Sequence, residues 1–423
     1  MKIVSNKFSA GALSNSSTSS TSSTSPPSPP TPPPPPLRTA NVATALASAD
    51  KAHPDLAADV VREAMRRADI SIARGVLLFL TPDFAAHAQA AVVAASRVAN
   101  CLQVTGCTAP GILTEEDWAL DRPAVCAMVF GEGLGLGAVH RAPDESSSTP
   151  ASLMPLLTLA TPATATHNWL AEGVPRYGLL STDNSAQGAG RIWCHGKMAA
   201  DARGEASILG ARSVIGVSRG VYALNAPLPV TVAEGYDIQK IGNQPALNTL
   251  LHGLPAELRE MEKLPFHLFS AAVVSRNLVN GNLTEKNETT SAQDAIQTGR
   301  YTLVPIIGVN HEERSVTLAV QLEPGTSIFW TMRQALATEL DMQSMVSRLG
   351  DELATEPDFG VLLSCMGRGP YFFGGEDRDL VVVKERFPHL PLIGAYGGGQ
   401  IVPLFNGNHV VHNTAVLTLF KAE

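Results

Sequence analysis

Gly75-Val-Leu-Leu-Phe-Leu80 opens the stretch whose reading decides the fold. It is a short, continuous apolar run bounded by a turn signal, the pattern of a buried strand. Pro82 and Asp83 then open an expected helix of alanines and valines through about Val98. A strand-like stretch leads to the turn Gly106-Cys-Thr-Ala-Pro-Gly111, and after an acidic loop comes another apolar strand, Ala124 to Phe130. The same order returns near the C terminus. Gly360 to Ser364 is a short apolar strand, Cys365-Met-Gly-Arg-Gly369 a glycine loop, and Asp377 to Phe387 a helix. Pro391-Leu-Ile393 runs into Gly394-Ala-Tyr-Gly-Gly-Gly-Gln-Ile401, and Thr414 to Phe420 alternates as a closing strand. Glycines cluster where the backbone needs positive φ or where something approaches closely. Two stretches built alike predict an α/β (α+β) fold. Its two similar lobes would have mixed sheets flanked by helices and a crevice between them, where small-molecule sites are common.

The segments outside these stretches set the expected domain limits. Residues 1–40 carry a Ser/Thr run (Ser14 to Ser25) and a proline block (Pro26 to Pro36). Such a segment buries too little apolar surface to offset its ordering entropy and is expected to be disordered. Residues 41–72 read as a helical segment, with Pro54 at a first turn and Leu56, Val60 and Ala64 near one face. The two lobes are then expected at 73–240 and 241–423. Between the repeated stretches, Ile192–His195, Ala206–Leu209, Val214–Val217 and Pro229–Val232 look like strands. Tyr301–Ile307 and Ser315–Leu322 look like a strand pair, and Asn243–Leu251 and Met332–Arg348 like helices.

The totals narrow the function. With 423 residues the chain is long enough for two or three domains, and its formal charge of -8, without a basic cluster, argues against a nucleic-acid surface. At 5% aromatic residues it is a poor stacking platform for single strands. No apolar stretch is long enough to span a membrane and no secretory leader is evident, so a cytoplasmic location is expected. The five cysteines, Cys101, Cys107, Cys126, Cys194 and Cys365, form no CxxC pair, against a disulfide framework or a structural zinc site.

The segments VLLFL and GCTAPGIL (Gly106 to Leu113), with PVTVAEGYDIQKIGNQPALNTL (Pro229 to Leu250), resemble the N-terminal part of the FIST family. SCMGRG (Ser364 to Gly369), LIGAYGGGQIVPL (Leu392 to Leu404) and HNTAVLTLF (His412 to Phe420) resemble its C-terminal part. The resemblance runs over most of Arg74 to Phe420. It implies a sensory module that binds a small ligand, such as an amino acid or small carboxylate, and signals to a separate downstream protein. Two departures bear on the ligand. The family usually shows Gly-Glu-Ile where this chain has Gly399-Gln400-Ile401, and no Glu follows Gly111-Ile112.

Arg368 is the first candidate for touching a ligand, because a guanidinium offers paired donors that match a carboxylate. Gly367 and Gly369 would let backbone N–H groups approach the same anion. Tyr396 and Gln400, beside Gly399, would add neutral donors and acceptors. Cys365 is a soft contact or a packed side chain, and Cys107, between Gly106 and Thr108, takes the matching place in the first lobe. No catalytic residue, metal or cofactor is expected. Alternatives stay open: a protein–protein adaptor, for which the proline block is suited, or a haem-binding gas sensor, although no CxxCH motif is present. A hydrolase is the third. Gly216-Val-Ser-Arg-Gly220 fits GxSxG, but its sequel is strand-like where a nucleophile elbow needs a helix. Gly133-Leu-Gly-Leu-Gly-Ala138 likewise lacks the helix that a dinucleotide phosphate would sit on.

Overall fold

The computed structural model describes residues 41–137, 154–171, 173–181, 189–259, 264–274, 278–279, 282–283, 291–404 and 407–423. The segment expected to be disordered, residues 1–40, lies outside them.

One unit of structure recurs along the chain. Its first copy holds β1 (Val42–Ser48), α1 (Pro54–Ala68), β2 (Gly75–Leu80), α2 (Ala88–Ala99), β3 (Val104–Thr108), the hairpin β4 (Gly111–Thr114) and β5 (Trp118–Leu120), and β6 (Ala124–Phe130). The second holds β7 (Gly135–Gly137), β8 (Leu156–Ala160), α3 (His167–Leu170), β9 (Arg176–Leu180), the hairpin β10 (Ile192–Cys194) and β11 (Lys197–Met198), and β12 (Arg203–Leu209). The third starts with β13 (Ala211–Ser218) and is then interrupted by an insert. The insert contains β14 (Val221–Ala223), β15 (Leu228–Glu234), β16 (Asp237–Ile241), β17 (Gln244–Pro245), α4 (Ala246–Gly253) and α5 (Ala256–Arg259). It continues with β18 (Phe269–Val274), β19 (Leu278–Val279), β20 (Asn282–Leu283), α6 (Ala292–Thr298), β21 (Tyr301–Asn310), β22 (Ser315–Leu318) and β23 (Ser327–Arg333). The third unit resumes with α7 (Ala335–Leu353), β24 (Phe359–Cys365), α8 (Arg378–Arg386), β25 (Leu392–Gly397), the hairpin β26 (Gly399–Leu404) and β27 (Gly407–Val411), and β28 (Ala415–Ala422).

Each unit forms the body of one six-stranded sheet: β1-β6-β2-β3-β10-β11 (sheet I), β13-β28-β24-β25-β4-β5 (sheet II) and β7-β12-β8-β9-β26-β27 (sheet III). In every sheet a parallel pair is joined through a helix, and the following hairpin leaves to pair with the next sheet. Thus β4 docks on β25, β26 on β9 and β10 on β3. A cyclic exchange of hairpins ties the units together by backbone hydrogen bonds.

The parallel pairs share a close approach that only glycine permits. Gly106, Gly178 and Gly394 stand opposite Leu78, Thr158 and Leu362. A Cβ on them would fall 1.7, 1.8 and 2.0 Å from the carbonyl oxygens of those partners. The inner faces of the three sheets enclose one core, in which Phe79 and Cys107 of sheet I meet Val361 and Ala395 of sheet II and Leu159 and Leu179 of sheet III. The outer faces are covered by helices: α1 and α2 over sheet I, α7 and α8 over sheet II, and the short α3 over sheet III. Because both faces are buried, the central strands read as unbroken apolar runs.

The insert is a six-stranded antiparallel barrel. β15, β16, β22, β21, β18 and β23 close on themselves through the β23–β15 and β23–β18 pairings. Leu247 and Leu250 of α4 fill it together with Trp330 and Val316.

Most expected elements are present, and three readings need correction. Val42–Ser48, expected within a helical segment, is a strand paired along its length with β6; burial of Ala43 and Ala45 beneath α1 overrides the helical preference of alanine. The boundary expected at 240/241 falls inside the barrel, where β16 ends at Ile241. The helix expected from Met332 begins at Ala335, because Met332 still belongs to β23.

Candidate functional site

Some of the expected site residues are brought close to one another: Gly367 lies by Cys365, and Gly369 by Tyr396. The two glycine turns lie side by side, since Gly111 pairs with Tyr396 across β4 and β25. Arg368 is fully buried. Its Nε and Nη2 donate to the two Asp379 oxygens at 2.7 and 2.8 Å, and its Nη1 and Nη2 donate to Ser218 O and Oγ, both at 2.7 Å. Burial works against its charge, but the carboxylates of Asp379, Asp341 and Asp377 together outweigh that and raise its pKa. A guanidinium so engaged is structural, which corrects its assignment to a ligand. Gly367 gives its carbonyl to Arg333, and a Cβ at Gly369 would meet the Tyr396 ring at 3.1 Å. The Tyr396 hydroxyl donates to Asp377, the N-cap of α8. Burial, aided by the Asp379 charge, pushes the Asp377 carboxyl up to about 6. Cys365 sits 5% exposed at the end of β24. Cys107 is buried in the central core, where desolvation pushes its thiol up. Thr108 Oγ1 accepts the Arg191 N–H at 2.8 Å, Gly106 lies under the Leu78 carbonyl, and Gly399 abuts His412.

A cavity does open nearby, at the seam between sheets II and III and the barrel. It has a volume of about 170 Å³. Ile215 and Val217 of β13 and Leu404 of β26 form its apolar wall, Tyr301 and Gly299 enter from the insert, and Asp341 and Arg348 from α7. The last two are seven residues apart, two turns along one helix face. None of the expected site residues lines it.

Asp341, Arg219 and Tyr301 are each placed by contacts within the fold. Asp341 Oδ2 accepts Ser218 Oγ at 2.5 Å and the Gly220 N–H at 3.0 Å. Gly220 is itself held in the left-handed region at φ 60°. Arg219 donates to the Tyr301 carbonyl at 2.7 Å, and its guanidinium lies 4.3 Å from the centre of the Tyr301 ring. The Tyr301 hydroxyl is buried and has no hydrogen-bond partner among the described residues. Burial pushes this phenol up to about 12, so it stands as a donor at neutral pH. Arg348 is exposed and makes no ion pair or hydrogen bond among the described residues.

The repeat supplies an internal comparison. Ile215 stands opposite Thr418, and the matching position in sheet I is Thr44, opposite Met128. There the seam is closed: Thr44 Oγ1 donates to Glu115, whose Oε2 also accepts the Leu392 N–H at 3.0 Å. At the II/III seam the same place borders the cavity.

Sequence reasoning missed Arg219, Tyr301, Asp341 and Arg348. One signal was present, the Gly216-Val-Ser-Arg-Gly220 segment, which supplies four of the residues around the cavity and its margin: Val217, Arg219, Gly220 and Ser218. Ser218 is no nucleophile elbow, since β14 rather than a helix follows it and its hydroxyl is engaged by Asp341 and Arg368.

Comparison with known proteins agrees with the C-terminal part of the resemblance drawn from the residues. The chain is 28% identical over 211 residues to MT0656, an uncharacterized protein of Mycobacterium tuberculosis (strain CDC 1551 / Oshkosh). It is 26% identical over 214 residues to Mb0898c, an uncharacterized protein of Mycobacterium bovis (strain ATCC BAA-935 / AF2122/97). Each alignment covers 50% of this chain and 51% of the relative, so the chain spans about half the length of the curated relatives it matches. Residues 248–403 match the family model of the FIST C domain, covering part of the barrel and most of the resumed third unit. The stretch from 248 to 403 is thus similar to the FIST C domain, which suggests a sensory or signal-transduction role.

Proposed function

We propose that this protein is a ligand-sensing module whose guest, an amino acid or small carboxylate, sits in the cavity between β13, α7 and the barrel. The observation that carries the reading is Tyr301, which lines a cavity that also receives Arg348 and whose buried hydroxyl has no partner among the described residues. A buried donor without an acceptor costs stability unless a guest satisfies it. Arg348 and Arg219 supply positive charge for a carboxylate, Asp341 supplies acceptors for an amine, and Ile215, Val217 and Leu404 offer an aliphatic wall. The volume of about 170 Å³ suits a small molecule rather than a peptide.

The cavity is lined from both the three-sheet body and the inserted barrel, so a guest bridges the two. Binding then favours whichever barrel position closes on the ligand, and that shift is what a separate downstream protein would read. A thermal-shift screen against amino acids and small carboxylates tests the reading, because a ligand of the native state raises its melting temperature. The expected result is a shift that Arg348→Gln removes and Tyr301→Phe reduces. No shift with any compound, or shifts indifferent to both substitutions, would overturn it.

A further inference from the structure

Gln400 is fully buried, and neither its Oε1 nor its Nε2 has a hydrogen-bond partner among the described residues. Two more side chains nearby share that state. Tyr177 lies on the adjoining strand β9, its hydroxyl unpartnered, and its ring packs 6.3 Å from that of Phe420 on β28. Thr418, two residues before Phe420 on the same face, has an unpartnered Oγ1. The three side chains therefore occupy one layer, between the inner faces of sheets II and III. Polar groups shut in such a layer are paired with few exceptions.

The fold itself does not require them. Gln400 stands opposite Leu179, the residue after the close-packed Gly178; at the I/II seam that position is Ile112, opposite Ala395, which follows Gly394. Tyr177 precedes Gly178 as Ile393 precedes Gly394. Thr418 stands opposite Val361 as Met128 stands opposite Leu77. The same three places at the I/II seam are thus Ile112, Ile393 and Met128, all apolar and all within the core. The polar set occurs at the seam that also bears the cavity. It lies next to it: Thr418 is paired with the cavity residue Ile215, and Gln400 shares the inner face of β26 with Val402 and the cavity residue Leu404.

We infer that the binding site continues inward from the cavity, with Gln400, Thr418 and Tyr177 as an inner subsite for an uncharged hydrogen-bonding group. This rests on the reading of the cavity as the ligand site and adds the ligand's second end. The guest is a molecule with an anionic head at Arg348 and Arg219 and an aliphatic middle against Ile215, Val217 and Leu404. Its far end is a primary amide or a hydroxyl. A charged far end is disfavoured, because the inner subsite offers no compensating charge.

The test is calorimetric titration of straight-chain carboxylates of graded length, each ending in methyl, hydroxyl or primary amide, into the full chain and into Gln400→Ile. That substitution installs the residue the I/II seam carries, so the variant is expected to melt at or above the wild-type temperature. At one chain length the wild type is expected to bind the amide-ended compound at least about tenfold more tightly than the methyl-ended one, since a site built for hydrogen bonding rejects an analogue lacking them. Gln400→Ile should lose that preference while keeping Arg348-dependent carboxylate binding. Thr418→Val, which removes only Oγ1, gives a second reading should Gln400→Ile fold poorly; it should weaken the preference. Equal binding of methyl and amide ends by the wild type, or a preference unchanged in the variants, overturns the inner subsite and leaves the cavity reading standing. Absence of binding by every carboxylate removes both.

Discussion

Asp341 Oδ2 lies 2.5 Å from Ser218 Oγ, and that hydroxyl in turn accepts from Arg368 Nη2 at 2.7 Å. A cavity carboxylate is thereby wired to a buried ion pair between the end of β24 and α8. The relationship separates two roles that sequence reading had merged in Arg368. This arginine builds the wall, and Arg219 and Arg348 face the cavity.

Arg368→Met is accordingly predicted to destabilise the fold by about 3–5 kcal/mol, because it leaves Asp379 buried without its counter-charge. Combining it with Asp379→Leu should recover most of the loss. Denaturant unfolding of the single and double variants measures this; a single variant as stable as the wild type would contradict the structural role.

Gly106→Ala, Gly178→Ala and Gly394→Ala are each expected to prevent soluble folding or to cost more than about 4 kcal/mol, since the added Cβ meets a backbone carbonyl that cannot move without breaking the parallel pair. Gly173→Ala, where a Cβ meets nothing within 4 Å, serves as the control and should be neutral. Expression and melting temperature of the four variants check it.

Asp377 predicts a pH dependence. Its folded pKa of about 6 lies above its ordinary value of 3.8, so the folded state holds a proton the unfolded state has released. The stabilisation from that proton is fully present below about pH 4 and is lost as pH rises through about 6. Asp377→Asn keeps an N-cap acceptor for the Leu380 N–H and should abolish this component, flattening the melting temperature between about pH 4 and 7 relative to the wild type. Parallel profiles for the two proteins would contradict it.

Much of the fold was legible because the buried parallel strands spell it out. Gly75–Leu80 and Phe359–Cys365 are unbroken apolar runs, and each is followed by a helix and a glycine-bearing strand. The second copy was harder to read. Leu156–Ala160 and Arg176–Leu180 are joined by a helix of only four residues, His167–Leu170, too short to show a helical period. The hairpin exchange was not legible at all, since β4 pairs with a strand nearly three hundred residues away. Arg368 misled for a definable reason. Flanking glycines suggested an open anion site, while its partner Asp379 stood eleven residues on, one step inside the helix that Asp377 caps. The cavity residues come from β13, β14, α6, β21, α7 and β26 or their ends, which the insertion of the barrel brings together.

The account stands or falls on where a ligand lies. The most direct measurement is a crystal structure of the protein grown with the compound that gives the largest thermal shift. We predict density in the cavity, with an anionic group within hydrogen-bonding distance of Arg348 or Arg219 and a bond from the Tyr301 hydroxyl. Density seated instead on the Gly367–Gly369 loop, with the space between Tyr301 and Asp341 unchanged, would contradict it.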